Sequence, residues 1–180
     1  MNITLKERKL GWSRQYDIAA SNCKYYARKS HVPLRGLRLL SGDRKQLLAR
    51  IRRRLSLFHA RYEFQLEHGT VYQFWCEALR RGVFVCEGGG EQYRFYRHKG
   101  LSYSLFRGER QVASFVKNRF VIGKGNQYEI RVNEDENTLL VICVGLVADA
   151  LDGVSGEGVT IDAGNVGPEA RPFDENWEPN

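Results

Sequence analysis

Arginine is the residue type whose spacing in this chain most suggests chemistry. Arg50, Arg52, Arg53 and Arg54 form one cluster, Arg80 and Arg81 a second, and Lys117, Arg119 and Lys124 a third. A guanidinium pairs bidentately with phosphate, so these clusters suit anionic lipid headgroups or a nucleic-acid backbone. The plainer use of the same residues is a solvated strand face. In YRFYRHK at 93–99, aromatic rings interleave with bases, as they do in stacking platforms for single strands. Asp149 is the one acid on a long apolar stretch. It either serves a site or emerges beside solvent or an arginine. Other chemistry has little to stand on. His31, His59, His68 and His98 lack metal-ligand spacing, and no GxSxG elbow occurs. Gly88-Gly89-Gly90 and Gly123-Lys124-Gly125 lack the strand–turn–helix setting of a phosphate loop and read as hairpin turns. The expectation is a protein that is not an enzyme, with no cofactor, no metal and no catalytic residue.

Charge narrows the partner class. The chain of 180 residues carries a net +7, yet the segment after Asp152 holds six acids and one base. The first 152 residues therefore carry +12. A body so basic attracts polyanions. Cys23, Cys76, Cys86 and Cys143 have no CxxC spacing and sit in apolar or aromatic contexts, as buried free thiols do in a reducing compartment. MNITLKERKLGW contains no apolar core of a secretory signal, so a cytoplasmic location is expected, peripheral at the membrane if the partner is lipid.

The elements that must position these residues are mostly strands. Tyr62, Phe64 and Leu66 alternate with Glu63 and Gln65, extending from Phe58 and Ala60, as a half-buried antiparallel strand requires. Gly42-Asp43 is a turn pair whose second arm, QLLARIRRR at 46–54, ends in the arginine run. QYRFYRHKG, LSYSLFRG and RQVASFVKN repeat at the 8–12-residue interval of sandwiches and barrels. QYEIRV puts Tyr128, Ile130 and Val132 on one face. About a dozen strands must close on themselves or pair as two sheets, because open edges invite aggregation. The exception is NTLLVICVGLVADAL at 137–151, apolar all round and too short for a bilayer, which takes about 20 apolar residues. It predicts a buried helix over 135–152, capped by Asn133, with the acids 134–136 at its first turn and Gly153 as its stop. Gly145 within it predicts a close neighbour. Residues 1–153 thus read as one domain, a β-shell built around or closed by that helix, and 154–180 as an acidic Gly/Pro-rich tail, extended or disordered.

RLLSGDRKQLLARIRRRLSLFHARYEFQLEHG resembles the strand–turn–strand core of LURP-one-related proteins. RQVASFVKNRFVIGKGNQYEIRVNEDENTLLVICVGLVADALDG is similar to that family's last strands and terminal apolar helix. The resemblance implies the tubby C-terminal-like fold, a closed antiparallel barrel of about twelve strands around one hydrophobic helix, with phospholipid scramblases distantly similar. It also implies phospholipid or phosphoinositide as the anionic partner. Two other readings stay open: single-strand nucleic-acid binding on 93–99, and a small-ligand or enzyme site at the barrel mouth near Asp149.

Overall fold

The computed structural model describes residues 1–10, 13–29, 36–54, 61–78, 82–118, 126–154 and 170–180. Twelve strands precede one helix. They are β1 (Asn2–Leu10), β2 (Ser13–Ala20), β3 (Cys23–Lys29), β4 (Leu37–Ser41), β5 (Leu47–Arg54) and β6 (Arg61–Leu66). There follow β7 (Val71–Ala78), β8 (Val83–Gly88), β9 (Glu91–Arg97), β10 (Ser102–Arg107), β11 (Arg110–Asn118) and β12 (Gln127–Val132). Each pairs antiparallel with its sequence neighbours, and β1 pairs with β12 to close the barrel. Closure leaves no sheet edge, which answers the aggregation hazard that a dozen open strands would carry.

Alternation decides which side chains enter. Tyr62, Phe64 and Leu66 point inward from β6, and Tyr128, Ile130 and Val132 from β12, as their spacing predicts. The helix α1 (Thr138–Val154) fills the interior, and every residue from Leu140 to Asp149 is buried. An all-round apolar helix is stable here because the strands surround it. A fully buried Leu, Ile or Val contributes roughly 1.5–3 kcal/mol. Gly145 marks a close approach: an added Cβ would meet Ile130 Cδ1 at 3.1 Å and Leu5 and Phe115 at 3.6 Å.

The helix ends differ from the sequence expectation. Asn137, not Asn133, is the cap, its Oδ1 accepting from the Leu140 amide at 3.1 Å. Asn133 is buried, donating to the Gln111 carbonyl and accepting from the Asn180 amide. The acids 134–136 precede the helix instead of sitting in its first turn. Glu136 is drawn to Arg107 at 2.9 Å, and Asp135 to Arg110 at 2.8 Å. Gly153 lies inside the last turn and does not stop it. Of the four free cysteines, Cys23 is exposed at the β2–β3 turn and the other three are buried.

Because consecutive strands form hairpins, the barrel has two distinct ends. Short turns join β2–β3, β4–β5, β6–β7, β8–β9 and β10–β11 at the end where α1 begins. β5 finishes and β6 starts at the other end, where α1 finishes. Residues 170–180 return along the outside of the last strands. Arg171 stacks on the Phe106 ring at 3.9 Å, Phe173 packs on His98 at 5.1 Å, and Arg131 donates to the Glu175 carbonyl.

Candidate anion-binding surface

Strand register turns a scattered set of arginines into a row. Arg28 on β3 stands opposite Arg38 on β4, which stands opposite Arg50 on β5. All three are exposed on the outer face, on strands about 4.8 Å apart. Among the described residues none of the three has a carboxylate at ion-pair distance. Directly opposed like charges destabilise a sheet, so this row opposes folding.

The row is the centre of a larger basic face. Lys6 and Arg8 on β1, Lys24 on β3, Arg44 and Lys45 in the β4–β5 turn, and Arg52 and Arg54 on β5 are also exposed. Residues 1–54 hold 15 of the 28 Lys and Arg but only 3 of the 21 Asp and Glu, a balance of +12 against −5 for residues 55–180. Because β1 to β5 are consecutive neighbours in the barrel, that imbalance becomes one side of the molecule. The charge asymmetry is readable in the sequence at residue 54, where division at Asp152 conceals it.

Within this face lies a groove of ≈ 380 Å³ over β1–β3 and the β4–β5 turn. Lys6, Arg8, Lys24 and Arg44 line it, with Tyr26 as part of its wall. Asp17 is its one acid, and Arg8 pairs with it.

The arginines predicted from spacing divide among different environments. Arg50, Arg52 and Arg54 project outward from β5, and Arg54 bonds Glu63 at 2.6 Å. That hydrogen bond holds the Glu63 carboxyl below the usual carboxylate range. Arg53 has the inward parity of Ala49 and Ile51 yet is exposed, one residue before the end of the strand. Lys117 is not part of an outer patch. It shares the inward parity of Ala113 and Phe115, is 10% exposed, and reaches Asp149 at 3.5 Å. Arg80, Arg81, Arg119 and Lys124 lie outside the described residues, as does His59. The strand ends flanking those four, Ala78 and Val83, Asn118 and Gln127, are at the barrel end where β5 finishes.

Asp149 itself sits in a dense polar plug at the end of the helix. It is fully buried and does not emerge into solvent. Tyr16 donates to its Oδ2 at 2.8 Å and the Asn126 side-chain Nδ2 to its Oδ1 at 2.8 Å. Arg14, at 3.8 Å from Asp149, also approaches the buried Glu7 at 3.5 Å. Two carboxylates thus face two cations at the helix end. Burial, together with the Asp149 carboxylate, pushes the Tyr16 hydroxyl well above its ordinary pKa.

The aromatic–basic run at 93–99 also resolves by parity. Tyr93 and Phe95 point into the core, where Phe95 stacks on Tyr103 at 5.0 Å. Arg94 and Tyr96 have the outward parity, and Tyr96 is half-buried with its ring edge-on to Phe106 at 5.5 Å, so the run splits between core and outer face. Among the described residues no group of three or more His, Cys, Asp or Glu could hold a metal ion. No described helix is long and apolar enough to cross a membrane. No family model matches the chain, and comparisons with curated proteins and with solved structures likewise give no match.

Proposed function

We propose that this barrel is a non-enzymatic binding domain that attaches to anionic phospholipid surfaces through the outer face of β1–β5. The observation that carries the reading is the opposed row Arg28–Arg38–Arg50, three exposed guanidiniums with no carboxylate at ion-pair distance among the described residues. A lattice of phosphate-bearing headgroups can supply bidentate partners to several of them at once. Juxtamembrane basic residues each contribute about 1 kcal/mol on an anionic leaflet. The likeness to LURP-one-related and tubby-like proteins belongs to the same proposal, as does a cytoplasmic location peripheral to the membrane.

Flotation with vesicles tests it. The protein should float with vesicles of phosphatidylcholine containing phosphatidylserine and stay behind with phosphatidylcholine alone. Binding should weaken steeply as salt shortens the reach of the charges, since the Debye length falls from about 10 Å at 0.1 M to about 3 Å at 1 M. Equal flotation with neutral vesicles would sink the proposal.

A further inference from the structure

The groove over β1–β3 has features that the open arginine row lacks, and we infer that it is a discrete site for a phosphate monoester. Three of its cations, Lys6, Lys24 and Arg44, have no carboxylate at ion-pair distance among the described residues. Arg8 is partly satisfied by Asp17, so the local balance is strongly positive. Arg44 is also held in place. Its backbone lies in the left-handed region at φ +62°, where a non-glycine residue is strained, and its amide bonds the Ser41 carbonyl at 2.8 Å. From there its guanidinium lies over the Tyr26 ring at 4.0 Å. Stacking on a buried ring fixes the planar donor before any ligand arrives, which lowers the entropy lost on binding.

The shape of this site selects among phosphates. A monoester carries about −1.5 to −2 charge at pH 7 and three terminal oxygens. A diester offers one charge and two such oxygens. Cations converging from β1, β3 and the β4–β5 turn can address three oxygens from different sides. A flat row on β3–β5 meets either kind of phosphate alike. The ≈ 380 Å³ groove holds a phosphate with a small attached polyol. The inference deepens the lipid proposal by naming headgroup chemistry, and it rests on other side chains than those of the row.

Two sources of the monoester can be told apart, a lipid headgroup and a soluble phosphorylated molecule. Vesicles containing phosphatidic acid or phosphatidylserine, matched for surface charge, are compared by flotation. Soluble glycerol 3-phosphate is titrated by calorimetry. Two added charge-assisted contacts predict a preference of roughly tenfold for phosphatidic acid. Lys24→Gln/Arg44→Gln should abolish that preference while leaving phosphatidylserine binding nearly intact. Arg28→Gln/Arg38→Gln/Arg50→Gln should weaken both lipids in parallel and keep the preference. Glycerol 3-phosphate binding that depends on Lys24 and Arg44, without vesicle binding, would uphold the groove and overturn the membrane reading. Equal binding of both lipids, with no glycerol 3-phosphate uptake, would overturn the groove and leave the row standing. All these substitutions fall on exposed residues, and unchanged melting temperatures serve as the control.

Discussion

Burial by the barrel leaves several ionisable side chains far from their ordinary behaviour. The Cys86 thiol is pushed up to about 12, and desolvation also raises Cys143, Tyr16 and Tyr93. In the unfolded chain cysteine and tyrosine ionise near ~8.5 and ~10. The folded state therefore favours their protonated forms. Their contribution is complete below those unfolded values and is lost as pH rises toward the folded ones. Urea unfolding measured from pH 7 to 11 should show stability flat to about pH 8.5 and then falling. The Cys86→Ala/Cys143→Ala variant should lose the early part of that fall, and a wild type with constant stability to pH 11 would contradict the assignment. Which residues are inside was largely legible from alternation, as with Phe64 and Ile130. Cys23 was not, because the same aromatic neighbourhood, CKYYARK, places it at the solvent-exposed start of a strand.

At the scale of elements, α1 is pinned at both ends by groups outside its apolar stretch. Asn137 caps its first turn, and Asp149 locks its last to β2 and β11 through Tyr16, Arg14 and Lys117. The helix was legible as a buried element from its all-round apolarity, and Gly145 as a point of close approach. Its start was not, since Asn133 and Asn137 offer the same capping oxygen and four residues separate them. Only the pull of Arg107 and Arg110 on the intervening acids distinguishes the two. Nor were the partners of Asp149 legible: Tyr16 lies 133 residues away in sequence. Asp149→Asn keeps the shape of the plug and can still meet Tyr16 and Asn126, but it leaves Arg14 and Lys117 with one carboxylate fewer. Removing one member of a buried ion pair predicts a loss of roughly 3 kcal/mol in urea unfolding. A loss below about 1 kcal/mol would mean that the plug contributes as hydrogen bonds alone.

Across the whole molecule, the closed β-meander converts sequence position into angular position around the barrel. Residues 1–54 become one basic side, and residues 55–180 carry a net −5. The tail at 170–180 lies against β9–β12, away from the arginine row, through Phe106, His98 and Asn133. The strands and the buried helix could be read from pattern, which left a closed barrel and two paired sheets as alternatives. The arginine row could not, because Arg28, Arg38 and Arg50 meet only once the hairpins set their register. Spacing along the chain singled out Arg50 and Arg52 to Arg54, of which Arg50 belongs to the row and Arg54 is engaged by Glu63. The most direct test of the basic side is to remove equal charge from two places. Arg28→Gln/Arg38→Gln/Arg50→Gln and, as control, Arg94→Gln/Lys99→Gln/Arg110→Gln are compared by flotation with phosphatidylserine vesicles at one ionic strength. The row variant should lose at least about tenfold in binding, from three contacts of about 1 kcal/mol each, while the control stays within about twofold of wild type. Equal losses from both variants, or no loss from the row, would contradict a binding face on β1–β5.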